Sequence, residues 1–319
     1  MTVSRIFLYS TLLMVAFWAS FVEAVSKNGF DLDGALIPVK KILSGGPPRD
    51  GIPALNNPSF VSAEMASYLK EGDRVLAIEI DGVAKAYPIR ILDWHEIVND
   101  RIGGQRLAVT YCPLCGTGVV FASNAGEGAL VFGVSGLLYN SDVLLYDRNT
   151  ESLWSQLMGQ AISGRLKGVK LPQVPAFHTT WGEWRTRFPQ TEVLSIDTGY
   201  KRDYRKKAYA GYSESRRLYF SVTDKAPKTY HPKEQVMGVE VDGVFKAYPF
   251  KELSLNETPT FVDTVNGKQL TVHWNEAARS SHVTDSQGQD VVSTTAFWFA
   301  WFTFHPMTEV FKPIHLGSE

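Results

Sequence analysis

An internal repeat is the feature that most constrains how this chain can fold. The segment VLAIEIDGVAKAYPIRIL at residues 75–92 matches VMGVEVDGVFKAYPFKEL at residues 236–253, including an Asp-Gly pair and the run Lys-Ala-Tyr-Pro. Farther along, WGEWRTRFPQTEVL at 181–194 matches WFAWFTFHPMTEVF at 298–311. Matched register over separated blocks is typical of a duplicated unit. We therefore expect the two KAYP segments, and the two tryptophan-rich segments, to occupy equivalent positions.

The two copies differ in length, and most of the segments between the matched blocks read as strands. The first copy is longer by about 44 residues, most of which fall in a block at 130–164. Alternating apolar residues around each Asp-Gly pair predict β-hairpins. Short helices are predicted at 89–98, behind Pro88, and at 180–188, where a threonine can cap the first turn. The expected fold class is α+β, mainly antiparallel β, an internally duplicated unit with an elaborated first copy and short helices.

The chain is expected to divide into a leader, two repeats and a connection. Residues 1–24 contain an early arginine, an apolar run and small residues ahead of a cleavage site, which is the pattern of a secretory signal peptide. The apolar run is shorter than the roughly 20 residues of a membrane-spanning helix. We predict cleavage near Val25 and a periplasmic or secreted protein without an integral membrane span. The first pseudo-repeat, with the CPLC motif and the inserted block, is placed at 25–200, the connection at 201–234 and the second, degenerate pseudo-repeat at 235–319.

Composition excludes one class of partner and leaves the others open. Lys and Arg total 32, Asp and Glu total 33, and the hydrophobic fraction is 44%, which is ordinary for a globular protein. This balance gives no basic surface for nucleic acid. A partner protein or a small-molecule ligand cannot be named from composition.

Cys112 and Cys115 are the only cysteines, and their C-x-x-C spacing is compatible with a metal site, a redox couple or a structural disulfide. In an exported protein, two reduced cysteines oxidise unless something binds them. A disulfide over so short a loop restrains the unfolded chain weakly. The residues after Cys115 continue as a strand, whereas a thioredoxin-type pair opens a helix. These arguments favour a metal site without excluding the other two.

A comparison of the two copies adds His95 to the predicted site. His95 ends the short helix that leads back to the strand bearing Cys112. The equivalent positions of the second copy are Asn256, Asn275 and Ala278. The joint absence of all three potential ligands is what a lost site would produce, although a packed histidine is an alternative. Two thiolates and an imidazole favour copper(I) or zinc over calcium or magnesium.

Further polar residues are candidates for contacts that orient the metal ligands, or for the lining of a binding cleft. Asp93 and Glu96 flank His95 and can orient its ring, and His178 precedes the first tryptophan-rich segment. The inserted block contributes Ser135, Asn140, Asp142, Asp147, Arg148, Trp154 and Gln156. Ser135 lacks the flanking glycine spacing of a hydrolase nucleophile. It is assigned to a turn instead.

With these motifs in hand, the chain resembles the bacterial and archaeal family catalogued as domain of unknown function 3179. The resemblance extends from about Pro53 to Pro306. It rests on the segments DWHEIVND, TYCPLCGTGVVF, SGLLYNSDVLLYDRNTESLWSQ and TTWGEWRTRFPQTEVLS. The family name carries no activity, so the resemblance implies none.

The sequence therefore supports three functional hypotheses. The first is an exported copper- or zinc-binding protein with a His95, Cys112 and Cys115 site, serving metal handling or electron transfer. The second is an extracytoplasmic thiol-disulfide oxidoreductase that uses the two cysteines, and the third is a ligand- or partner-binding module with a structural disulfide. Whether the protein is an enzyme is left open by these residues.

Overall fold

The strands of this chain form a five-bladed β-propeller. The computed structural model describes residues 25–125 and 128–313, so the predicted signal peptide at 1–24 lies outside the described residues. Strands make up 41% and helices 11% of the structure. The α+β prediction was therefore wrong. Alternation of apolar residues located individual strands, but it does not reveal how many separate sheets those strands build.

Blades 1 and 2 come from the first repeat, and each has one long hairpin at its centre. In sheet order, the strands of blade 1 are Phe177–Thr180, Arg74–Ile80, Val83–Pro88, Glu192–Leu194 and Phe60–Ser62. Those of blade 2 are Gln173–Val174, Thr117–Ala122, Gln105–Cys112, Ile97–Ile102 and Leu55–Asn56. The chain leaves blade 1, builds other blades and then returns to complete it, so long-range pairing closes this sheet.

The inserted block forms blade 3, and this is the main correction to the predicted architecture. Its strands, in sheet order, are Gln160–Ala161, Leu153–Ser155, Asp142–Asp147, Phe132–Tyr139 and Ile42–Ser44. The last strand comes from near the start of the described chain and pairs with residues 137–139. The extra residues therefore supply four of the five strands of a separate sheet and are not a surface addition to the first copy.

Blades 4 and 5 come from the second repeat and have the same central hairpins as blades 1 and 2, but each has four strands instead of five. Blade 4 consists of Ser293–Phe297, Gln235–Val241, Val244–Pro249 and Glu309–Val310. Blade 5 consists of Thr260–Val265, Lys268–Asn275, Ser280–Thr284 and Asp290–Val291. Both KAYP segments end the second strand of a central hairpin, and in both blades that strand pairs in parallel with the strand after the tryptophan-rich helix.

Short helices connect the strands, and the tryptophan-rich pair has the same anchoring bond in both repeats. The helices are Ile89–His95, Trp181–Arg187, Phe250–Leu253 and Trp298–Phe304, with single 3-10 turns at Val39–Lys41 and Ala63–Met65. Trp184 Nε1 donates to Thr191 Oγ1 at 2.9 Å, and Trp301 Nε1 donates to Thr308 Oγ1 at 2.9 Å. Thr180 caps its helix through the Glu183 amide, as predicted from the sequence.

Two small hairpins complete the strands, at Ser26–Lys27 with Phe30–Asp31 and at Asn124–Ala125 with Gly128–Ala129. Residues 201–234 contain no strand or helix. Over the described part of the chain, no helix combines the length and the apolar character that crossing a membrane requires.

Candidate metal centre

The cysteines lie in a tight turn that ends the central hairpin of blade 2. Cys112 closes one strand and pairs across the hairpin with Thr117. Gly116 has a φ of +60°, a conformation that glycine adopts without steric cost. A side-chain Cβ at that position would lie 2.9 Å from the ring of Phe297, whose amide donates to Cys115 O at 2.8 Å. The turn is therefore fixed against blade 4 by a backbone bond and by close ring packing.

Asp142 completes the group from blade 3. Asn140 and Ser141 ahead of it have φ values of +54° and +65°, forming the turn that aims the start of this strand at blade 2. The ligand atoms of Cys112, Cys115 and Asp142 all lie within 4.8 Å of one another. The Ser141 carbonyl lies 3.3 Å from Cys115 Sγ and 3.7 Å from Cys112 Sγ. Two blades thus converge on one buried cluster of donor atoms.

All three side chains of this cluster are fully buried, with exposures of 0%. Burial raises the pKa of both thiols and raises the pKa of the Asp142 carboxyl to about 7. Backbone amides oppose the shift at Asp142, and the Leu157 amide donates to its Oδ2 at 3.0 Å. The other oxygen, Oδ1, is buried without a well-formed hydrogen bond. The Cys112 and Cys115 thiols are the other groups that act to lower the pKa of this carboxyl. A lone buried acceptor beside two free thiols is a position that a cation can satisfy.

His95 is placed apart from this cluster. Its Nδ1–H donates to Pro53 O at 2.7 Å, and its Nε2 therefore accepts from the Tyr204 hydroxyl at 2.6 Å. Burial lowers the pKa of His95, which favours the neutral ring that this bonding pattern requires. Both ring nitrogens have partners within the protein. Asp142, and not His95, is the third group beside the sulfurs in this structure.

The residues that flank His95 lie in an acidic, buried region of their own. Glu96 has a φ of +58°, and its carbonyl accepts from the Tyr111 amide at 2.7 Å. Burial raises the pKa of Glu96 to about 8, with further contributions from Asp142 and Asp93. Burial likewise raises the pKa of Asp93 to about 7. Neither carboxyl is hydrogen-bonded to the His95 ring, so neither orients it as the sequence suggested.

Most of the remaining polar candidates from the inserted block stabilise the structure of blade 3 and its surroundings. Ser135 lies within the strand Phe132–Tyr139, where the pairing register shifts, so its assignment to a turn was wrong. Its Oγ donates to Leu144 O, Asp147 accepts from Trp154 Nε1, and Arg148 forms an ion pair with Asp50. Asn140 accepts from the amide and hydroxyl of Thr223. These bonds account for the polarity of the block without a ligand.

Gln156 and His178 differ from that set, because each keeps a buried polar atom without a partner. Gln156 Nε2 donates to Thr110 Oγ1 on the cysteine-bearing strand at 2.8 Å, while its Oε1 is unpartnered. His178 Nδ1 is also buried and unpartnered, and this residue faces a large cavity next to the cysteine turn. Arg74 and Lys233 line the same cavity and were missed at the sequence level, since isolated basic residues carry no pattern.

Fold and site together define a class: a five-bladed β-propeller with a buried Cys-Cys-Asp group that lies within ion-binding distance. The chain belongs to the family described as Protein of unknown function (DUF3179), whose profile matches residues 49–308. This confirms the resemblance seen in the sequence motifs. No curated protein matches the chain. No solved structure matches it either.

Proposed function

We propose that this protein binds a zinc or copper(I) ion through Cys112, Cys115 and Asp142. The observation that carries the proposal is the unpartnered, fully buried Asp142 Oδ1 in a group whose ligand atoms lie within 4.8 Å of one another. Thiolate ligands select zinc and copper(I) over calcium and magnesium. The carboxylate oxygen favours zinc of the two, because zinc accepts sulfur and oxygen ligands in one tetrahedral site.

The position of the group indicates what a bound ion does for the molecule. The cysteines belong to the turn of blade 2, and Asp142 starts a strand of blade 3. An ion held by all three would cross-link two blades at a buried point. With the predicted signal peptide, such a site would belong to an exported protein that handles or retains metal outside the cytoplasm.

Metal analysis of the purified protein tests the proposal. The wild-type chain should contain close to one equivalent of zinc or copper. Cys112→Ser should lose it, since a hydroxyl is a harder and less acidic donor than a thiol. Asp142→Asn, which preserves side-chain shape, should lower the affinity about tenfold or more.

His95→Gln is the matched control, because it changes a buried candidate ligand outside the group. It should retain full metal stoichiometry. Loss of metal in His95→Gln with retention in Asp142→Asn would favour the ligand set expected from the sequence. A wild-type protein that remains metal-free after dialysis against zinc or anaerobic copper(I) would refute metal binding.

A second candidate function is thiol-disulfide exchange, and a specific contact favours it. The Cys115 amide donates to Cys112 Sγ at 3.3 Å, and this bond partly opposes the rise that burial causes in the pKa of the Cys112 thiol. Oxidation would join the two sulfurs, release two protons and pass two electrons to a partner disulfide or quinone. Full burial of both sulfurs opposes exchange with a protein partner. A reversible dithiol titration in glutathione buffers, unaffected by chelators, would support this function over metal binding.

A further inference from the structure

A large cavity lies against the cysteine turn but does not include the sulfurs. Its volume is about 720 Å³, within the range of small-molecule sites, roughly 300 to 1,000 Å³. Pro113 and Gly116 form part of its wall, and Tyr204 and Tyr212 of the 201–234 connection form another part. The connection, which carries no regular secondary structure, therefore covers a site-sized space rather than simply joining two repeats.

Positive charge dominates the wall of this cavity. Besides Arg90, its basic side chains are Arg74, Arg205, Lys206, Lys207, Lys233 and Arg279. Its acidic side chains are Asp73 and Asp93. Asp73 is already ion-paired with Arg90 at 2.5 Å. Arg205 and Arg279 also have carboxylate partners, Asp203 at 2.8 Å and Glu276 at 3.2 Å. The basic side chains still outnumber the carboxylates of the wall, and a cleft with low-dielectric walls focuses the field of such an excess.

Arg74 is a cation without a counterion in the described residues. Its Nη atoms donate to the carbonyl oxygens of Ala278, Arg279 and His178. Its Nε is buried and has no partner. Burial lowers the pKa of Arg74 to about 10, while Tyr111 and Glu183 partly offset the shift and Arg279 adds a smaller repulsion. The guanidinium thus brings to the cavity wall a positive charge that no carboxylate pairs at close range.

Lys233 repeats the pattern at a second point of the wall. Only 5% of its surface is exposed, and its Nζ donates to the carbonyl oxygens of Ser215 and Arg217 while lying 3.7 Å from the centre of the Tyr212 ring. Buried Lys85 offers the contrast, because Asp100 neutralises it at 2.9 Å. The charge of Glu214 acts on Lys233 only from beyond ion-pair distance. This buried lysine therefore lacks the close anion that usually accompanies such a charge.

The remaining wall adds a polar imidazole and aromatic surface. His178 Nδ1 is buried without a partner, and burial keeps this ring neutral by lowering its pKa well below the usual value. Tyr111 packs edge-on against His178, with ring centres 6.1 Å apart. Tyr209 and Phe297 extend the aromatic lining. This combination can take a planar apolar body as well as a charged head group.

We propose that this cavity is a binding site for a small organic anion, a carboxylate or phosphate attached to a planar apolar group, with Arg74 and Lys233 supplying the charge and His178 a further hydrogen bond. The proposal is independent of the metal centre, because none of Cys112, Cys115 and Asp142 lines the cavity. The site is assembled from blades 1, 2, 4 and 5 together with the connection.

Calorimetric titration of the full chain with phenyl phosphate, benzoate, inorganic phosphate and benzylamine tests this site. The aromatic anions should bind, inorganic phosphate should bind more weakly than phenyl phosphate, and benzylamine should not bind. Preference for phenyl phosphate over benzoate assigns the ligand to the phosphates, and the reverse preference assigns it to the carboxylates. The protein should show the same binding after Cys112→Ser, which separates this result from the fate of the metal proposal.

Paired variants locate the binding. Lys233→Gln retains a donor for the two carbonyls but loses the charge, and it should weaken anion binding about tenfold or more. Lys268→Gln is the control, because Lys268 is an exposed lysine paired with Asp242 outside the cavity. His178→Phe, which keeps the volume of the ring, should also weaken anion binding. It tests the site independently in case the Lys233→Gln variant does not fold. The proposal would be overturned if neither aromatic anion bound at millimolar concentration, or if benzylamine bound. Equal effects of the Lys233 and Lys268 changes on anion binding would also overturn it.

Discussion

At the scale of the residue, glycine at the cysteine turn has two separate reasons to be there. Gly116 has a positive φ, and its missing side chain leaves room for the Phe297 ring. Gly103, in the preceding hairpin turn, has a similar φ of +55° but open space where a side chain would lie. A side chain at Gly103 would therefore meet backbone strain alone, whereas a side chain at Gly116 would meet both backbone strain and a clash with Phe297.

Alanine substitutions at these two positions should differ in cost. Gly103→Ala should lower the free energy of unfolding by about 1 kcal/mol, the cost of a left-handed alanine. Gly116→Ala should cost about 1 to 3 kcal/mol more, because Phe297 and the blade 4 backbone must shift. Urea denaturation of the two variants measures the difference. Equal losses would mean that the contact between the cysteine turn and Phe297 is not restrictive.

The sequence predicted the cysteines as site residues but did not predict Asp142 as the group beside them. The reasons differ for Asp142 and for His95. Asp142 was singled out only as a polar residue of the inserted block. Its proximity to the sulfurs depends on how blade 3 docks on blade 2, which no local pattern encodes. His95 was inferred from absence in the second repeat, but its nitrogens are used by Pro53 and Tyr204. A shared absence identifies residues that differ between copies without showing that they touch.

At the scale of the element, the hairpins were predictable because their turns have strict backbone requirements. Asp81 and Gly82 have φ values of +52° and +82°, and Asp242 and Gly243 have +48° and +84°. Two consecutive positive φ angles are what an Asp-Gly pair supplies. The sheets were not predictable in the same way. Their outer strands, such as Glu192–Leu194 beside Val83–Pro88, pair across long stretches of chain that turn chemistry does not specify.

Two strands of blade 5 place histidines side by side and make the blade sensitive to acid. His273 pairs across the sheet with His282, and their rings stack with centres 4.5 Å apart. Burial, with the charges of His273 and Arg187, lowers the pKa of His282 to about 4. Both rings are therefore neutral in the folded protein at pH values where an unfolded histidine is protonated.

The sign of the resulting pH dependence follows from proton uptake on unfolding. An unfolded histidine titrates near 6.5, so between about pH 6.5 and 4 the unfolded state binds the proton and the folded state does not. The stability contributed by His282 is complete above that window and falls as the pH drops through it, by about 2 to 3 kcal/mol. His282→Phe should flatten this part of the stability curve measured by denaturation from pH 7 to 4. An unchanged slope in the variant would assign the acid sensitivity to other groups.

At the scale of the whole molecule, the two repeats fasten neighbouring blades with the same ionic contact. Lys85 of blade 1 reaches Asp100 of blade 2 at 2.9 Å, and Lys246 of blade 4 reaches Asp263 of blade 5 at 2.6 Å. A tyrosine hydroxyl from the same KAYP run donates to each carboxylate, at 2.6 and 2.9 Å. The segment that the two repeats share thus forms a contact between neighbouring blades as well as a hairpin.

The two contacts differ in burial, and their removal should differ accordingly. The Lys85 and Asp100 side chains are each 8% exposed, whereas those of Lys246 and Asp263 are 13% and 19% exposed. Lys85→Met leaves a buried carboxylate without its cation, so it should lower the free energy of unfolding by about 3 to 5 kcal/mol. Lys246→Met should cost less, about 1 to 3 kcal/mol, because water can partly solvate Asp263. Equilibrium denaturation of both variants, with Lys268→Met as a surface control, measures these losses. A Lys246→Met variant less stable than Lys85→Met would show that the second repeat, and not the first, holds the propeller together at its blade contacts.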